Sequence, residues 1–77
     1  MTVEEFKKIP MRWQSHLSLE SENSTEYASK CGRFRVCFHT IKRKDGTFGR
    51  TYTHYMVDDK VYKSEKALAE GLKDVTL

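Results

Sequence analysis

The chain predicts an α+β fold: a small antiparallel sheet of four or five strands, a short N-terminal helix, and a C-terminal helix packed on one face. Three observations predict it. Apolar and polar residues alternate with a period of two through 11–19, 33–43 and 48–57, the pattern of strands with one buried face. Capped stripes at helical spacing follow Thr2 and Ser64. The chain has only 77 residues, which leaves room for one sheet and one or two helices in a single small domain spanning 1–77.

The first element is read over residues 2–9. Thr2 is a capping residue, and Glu5 stands three positions later, where its carboxylate reaches back to the cap's own N–H. Val3, Phe6 and Ile9 form one apolar stripe, and Pro10 ends the turn. Two turns of helix are marginal alone and need packing.

Residues 11–19 then alternate. Met11, Trp13, Leu17 and Leu19 share one face, with Ser15 the one break in it. Residues 20–25, Glu-Ser-Glu-Asn-Ser-Thr, read as a polar loop, and a weak strand at 26–29 rests on Tyr27 and the small residues flanking it. The strongest strand covers 33–43. It turns at Lys44-Asp45-Gly46-Thr47 and returns over 48–57. Asp58-Asp59 turns the chain again into a short strand at 61–63. Ser64 caps the last helix, whose stripe is Leu68, Leu72 and Val75. Gly71 inside that helix costs about 1 kcal/mol relative to Ala, which points to a close approach to the sheet.

Register decides which side chains the central hairpin buries. A two-residue Asp-Gly loop pairs Lys44 with Thr47 and sets Phe34, Val36 and Phe38 opposite Val57, Tyr55 and Thr53. A three-residue loop with a bulge shifts the pairing by one and places Arg50 and His54 beside the core. Burying an unpaired Arg is costly, so the first register is expected. The expected core is Phe34, Val36, Phe38, Tyr55, Val57, Tyr62, Leu68 and Leu72, joined by Phe6, Trp13 and Leu17.

The formal net charge of +3 is unevenly spread. Residues 30–50 hold Lys30, Arg33, Arg35, Lys42, Arg43, Lys44 and Arg50 against Asp45 alone, a local charge of +6. The segments before and after carry -2 and -1. In the expected register most of this block shares a face with His39, Phe48 and Tyr52. Guanidinium groups along a strand reach successive phosphates, and exposed aromatics stack on bases. The same alternation is also the ordinary dress of a solvated sheet face.

Over residues 33–75, a three-stranded meander followed by a C-terminal helix resembles two nucleic-acid modules in topology. They are the double-stranded RNA-binding domain and the three-strand arm-binding domain of phage integrases. The first implies a Lys cluster opening the last helix, where this chain has Lys66 beside Glu65. The second implies DNA reading by the sheet face, in agreement with Arg33, Arg35 and Arg50. Neither likeness includes a specific motif.

Cys37 falls opposite His54, with His39 a diagonal neighbour and Cys31 a further thiol, which together are the donor set of a Cys2His2 zinc site. Cys31 and Cys37 are six residues apart, wider than a zinc knuckle, and no metal or other cofactor is expected. The Cys37–His54 pair lacks an orienting third residue, so no enzyme is expected. Glu20 and Glu22 read as solvated loop residues. No apolar run is long enough for a membrane span, and two cysteines without a leader pattern suggest the cytoplasm.

The expected function is therefore a small non-catalytic binding module that uses the basic hairpin face, residues 33–54, on nucleic acid. Its site would be Arg33, Arg35, His39, Lys42, Arg43, Lys44, Phe48, Arg50 and Tyr52. The alternative is a small accessory or inhibitor protein, of the type phages and mobile elements encode, that binds a host protein, for instance through an acidic surface. A homodimer through an edge strand is a third possibility.

Overall fold

A computed structural model describes residues 1–76. The elements are α1 (Val3–Lys7), β1 (Met11–Ser18), β2 (Glu22–Ser29), β3 (Phe34–Lys42), β4 (Phe48–Val57), β5 (Lys60–Tyr62) and α2 (Glu65–Leu72). The strands form one antiparallel sheet in the order β1-β2-β3-β4-β5. Every connection joins neighbours, so the sheet is a meander and its edges are β1 and β5. The α+β architecture expected from the pattern is the one observed, with five strands.

Both helices start as expected. Thr2 accepts from the Glu5 amide at 3.1 Å while the Glu5 carboxylate accepts from the Thr2 amide at 2.9 Å, a complete capping box. The Ser64 hydroxyl accepts from the Ala67 amide at 3.1 Å. Lys7 of α1 is ion-paired with Glu65 of α2.

The core is small and lies at one end of a molecule 44 × 24 × 19 Å in extent. Phe6, Phe34, Val57, Leu68 and Leu72 are buried there. Met11, Val36, Tyr55, Tyr62 and Val75 are half-buried around them. Phe6 meets the rings of Phe34 and Tyr55 edge-on, at centroid distances of 6.0 and 5.9 Å. Two short helices cannot roof strands of eight to ten residues. They cover the sheet near the β2–β3 and β4–β5 turns and leave the other half of that face open.

Three expected core residues are therefore corrected. Phe38 lies beyond the helices and is 43% exposed, Trp13 is 60% exposed and Leu17 is 55% exposed. In β1 the cause is a bulge between Trp13 and Ser15. The extra residue reverses the alternation. Trp13 pairs with Tyr27 on the helix-bearing face, while Leu17 pairs with Ser24 on the opposite one. One apolar stripe in the sequence is thus split between two faces.

The loop expected over 20–25 is also corrected. Glu22–Ser29 is a full strand, and only Leu19–Ser21 turn. Central position between β1 and β3 supplies hydrogen bonds on both sides, which outweigh the weak strand preference of Glu, Ser and Asn.

The hairpin register holds where it was expected, with Phe34 opposite Val57, Val36 opposite Tyr55, Cys37 opposite His54 and Phe38 opposite Thr53. The turn differs. Arg43 donates its amide to the Thr47 carbonyl at 2.9 Å across a three-residue loop, and Lys42 faces Phe48. An irregularity between Thr40 and Lys42 restores the first register further along. The three-residue loop and the expected pairing therefore coexist, because a bulge absorbs the offset.

Candidate binding surfaces on the sheet

The face of the sheet without helices is the surface on which the sequence placed its site. Cross-strand pairing builds it in rows. Arg12, Ala28, Arg35, Met56 and Val61 form one row, and Ser15, Glu26, Cys37 and His54 the next. Leu17, Ser24, His39 and Tyr52 form a third. Glu22 and Ile41 follow towards the hairpin end.

Two of the expected site arginines are engaged by carboxylates. The Arg33 guanidinium chelates Asp58, from Nε at 2.8 Å and Nη2 at 3.0 Å, and donates from Nη1 to the Thr76 carbonyl at 3.1 Å. It lies 5.0 Å over the Phe34 ring, turned around the end of the sheet toward the helices. Asp58 in turn is held below the usual carboxylate range, chiefly by the hydrogen bonds from Arg33. Arg35 donates to Asp59 at 3.0 Å.

Asp58 and Asp59 sit in the β4–β5 turn with positive φ angles of 48° and 70°. Aspartate tolerates that conformation better than most residues. A two-residue turn so delivers two carboxylates to the two arginines that begin β3.

At the opposite end, Lys42 donates from Nζ to the Ser18 hydroxyl and the Leu19 carbonyl, both at 2.8 Å. Arg43 donates to the Thr47 hydroxyl at 3.4 Å. The Asp45 carboxylate accepts from the Thr47 amide at 3.0 Å and hydroxyl at 2.7 Å, closing the turn. Among the described residues, Lys44 and Arg50 form no ion pair. Phe48 is corrected as well. The bulge carries it to the helix-bearing face, beside Thr40 and Phe38.

The middle of the helix-free face holds a polar cluster. The His39 ring stacks on Tyr52 at 4.6 Å, nearly parallel, and meets His54 edge-on at 4.7 Å. Tyr52 donates its hydroxyl to Glu22 Oε2 at 2.8 Å, and His39 Nδ1 shares a 2.9 Å hydrogen bond with the Ser24 hydroxyl. Glu22 Oε2 lies 3.5 Å from the same nitrogen. Read as a solvated loop residue in the sequence, Glu22 is instead the acceptor that orders this cluster. The only signal was the period-two series Glu22, Ser24 and Glu26.

The cysteines stand apart in role. Burial pushes the Cys37 thiol above its ordinary range, and Glu26 and Glu22 push it further, which makes it a poor thiolate nucleophile. Cys31 is exposed in the β2–β3 turn, and hydrogen bonds from the Ser29 hydroxyl and the Arg33 amide hold its thiol below the ordinary range. Among the described residues, no three His, Cys, Asp or Glu side chains are grouped to hold a metal ion. That includes Cys31, Cys37, His39 and His54. Nor is any helix long and apolar enough to cross a membrane.

A pH prediction follows from His54. Burial holds its imidazole below the ordinary histidine range, and the nearby His39 and Lys63 add to this, while Glu22 opposes it. The unfolded chain therefore binds a proton more readily at this position than the folded one. His54 leaves stability intact above pH about 6.5 and withdraws it as pH falls through its lowered folded value. Thermal midpoints measured from pH 7.5 to 5.0 should fall less for His54→Gln than for the parent chain. Parallel curves would show that His54 does not carry the acid limb.

Comparison of the chain with protein-family models, with characterised proteins and with solved structures finds no match.

Proposed function

We propose that the protein is a small non-catalytic module that binds a protein partner on the helix-free face of its sheet. One observation carries this reading. Two arginines of the +6 block are held by carboxylates, Arg33 by Asp58 and Arg35 by Asp59, and Glu22 and Glu26 add negative charge to the helix-free face. What is left is a flat mosaic of both charge signs, with Tyr52, His39 and His54 among Leu17, Ile41, Met56 and Val61. Phosphate backbones need a continuous basic track. A protein surface of complementary pattern needs alternating signs around aromatic and aliphatic contacts.

The test has two arms. Labelled duplex DNA, duplex RNA and single strands are titrated with the protein by fluorescence anisotropy at about 50 mM salt, with affinity weaker than about 10⁻⁴ M expected. In parallel, nuclease-treated lysate is passed over immobilised protein and over a Tyr52→Ala, Arg50→Ala double variant. A partner retained by the first and lost by the second supports the proposal. Micromolar or tighter nucleic-acid binding would overturn it.

A second reading is favoured by Lys44 and Arg50, which stand at the hairpin end without ion pairs among the described residues, as do Lys42 and Arg43, near an exposed Phe48. It places nucleic acid on the hairpin tip rather than along the face. Here Lys44→Ala with Arg50→Ala should reduce the salt slope of log K by about two. An unchanged slope would remove the tip from consideration.

A further inference from the structure

We propose that the half of the helix-bearing face left open by α1 and α2 is a homodimer interface, packed sheet on sheet about a two-fold axis. The surface is separate from the helix-free face discussed above, and the proposal stands whatever that face binds.

The first argument is area. A folded monomer of 9.1 kDa exposes about 4,900 Å² by the usual scaling of surface with mass. This chain exposes 5652 Å². The excess over the whole chain, roughly 750 Å², is of the size that each partner buries in a standard interface, ~800 Å².

The second argument is shape. Phe38 forms a ridge between two hollows. One, of about 240 Å³, is walled by Phe6, Ile9, Met11, Tyr27 and Val36, with Lys7 at its rim. The other, of about 300 Å³, lies among His16, Asn23, Thr25, Thr40 and Phe48. Tyr27 braces the ridge edge-on at 5.8 Å. Phe48 stands 60% exposed beyond it. A two-fold interface requires a patch that carries both a projection and the recess that receives it. The projecting Phe48 of one copy is assigned to the apolar hollow beside Phe38 of the other, and reciprocally.

The third argument is charge. Neither hollow is lined by a carboxylate, and Lys7 is the one cation at their walls. Thr25, Thr40, Thr51 and Thr53 fill the strand positions around the aromatics. A patch with so little charge meets its own copy without the burial of charged groups that the helix-free face would bring. Covering it also supplies the second layer that a sheet with one open half lacks.

Sedimentation equilibrium or light scattering over about 5–200 μM tests the proposal. The expected result is a mass approaching twice that of the chain, with dissociation at the dilute end. Phe48→Asp sets two carboxylates in the apposed patch and should weaken dimerisation by at least about 100-fold. Because Phe48 is exposed, its thermal midpoint as a dilute monomer should match the parent's.

Tyr52→Ala on the opposite face should leave the dimer intact, as should Ser15→Pro, which blocks pairing along the β1 edge. A parent chain that stays monomeric to 200 μM overturns the inference. So does a dimer that survives Phe48→Asp, or one abolished by Ser15→Pro or Tyr52→Ala alone.

Discussion

Phe6→Ala is expected to be among the most destabilising single substitutions in this chain. Phe6 comes from a helix of five residues, yet it is the centre of the core, almost fully buried between the rings of Phe34 and Tyr55. Truncating a buried Phe costs about 3–5 kcal/mol, from lost transfer energy and the cavity left behind. A 77-residue domain has roughly 4–11 kcal/mol in all. The cost is therefore a large fraction of the whole stability, and a drop of about 15–30 °C in thermal midpoint is expected.

There is little to compensate. Five buried apolar residues form the core cluster, and α1 reaches the sheet mainly through this ring. Urea titration of Phe6→Ala beside Phe6→Leu checks the claim, since Leu refills part of the cavity and should recover at least about 1 kcal/mol. A loss below about 1 kcal/mol for Phe6→Ala would mean that α1 does not close the core.

The elements that were legible in the sequence are those whose local signals agree with their packing. The capping box at Thr2 and Glu5, the Ser64 cap and the alternation of Phe34 and Val36 each say one thing, and the structure repeats it. Tertiary effects hid the rest. A bulge at a single residue of β1 sends Trp13 and Leu17 to opposite faces, and no periodicity in residues 11–19 announces it. Residues 22–25 form a strand because β1 and β3 flank them, not because Glu, Asn and Ser prefer one.

The candidate site was legible only in part, and for a related reason. Counting Arg33 and Arg35 along the chain gives a basic block. The carboxylates that hold them, Asp58 and Asp59, lie more than 20 positions away and arrive through the β4–β5 turn. Charge segregated in sequence is not charge segregated in space. The pairing that decides the difference is long-range, as is the contact between Glu22 and Tyr52.

Gly71→Ala is expected to destabilise the protein, although alanine is the better helix former by about 1 kcal/mol. Gly71 lies on the face of α2 that meets β5. An added Cβ would fall inside 3.0 Å of the Tyr62 ring, a separation that packed atoms do not adopt. Either α2 lifts from the sheet or the ring swings away.

Lifting α2 would loosen Leu68 and Leu72, which are fully buried. Swinging the ring would give up the packing of Tyr62 against the core. Overpacking of this kind costs about 1–3 kcal/mol, which exceeds the propensity gain. The sign is thus set by the close approach, not by the helix.

A double-mutant cycle separates the two contributions. In a Tyr62→Ala background the obstacle is gone, and Gly71→Ala should become neutral or stabilising by up to about 1 kcal/mol. Chemical denaturation of the four chains reads the coupling directly. Additive effects would show that the glycine is tolerated in the helix rather than required by the ring above it.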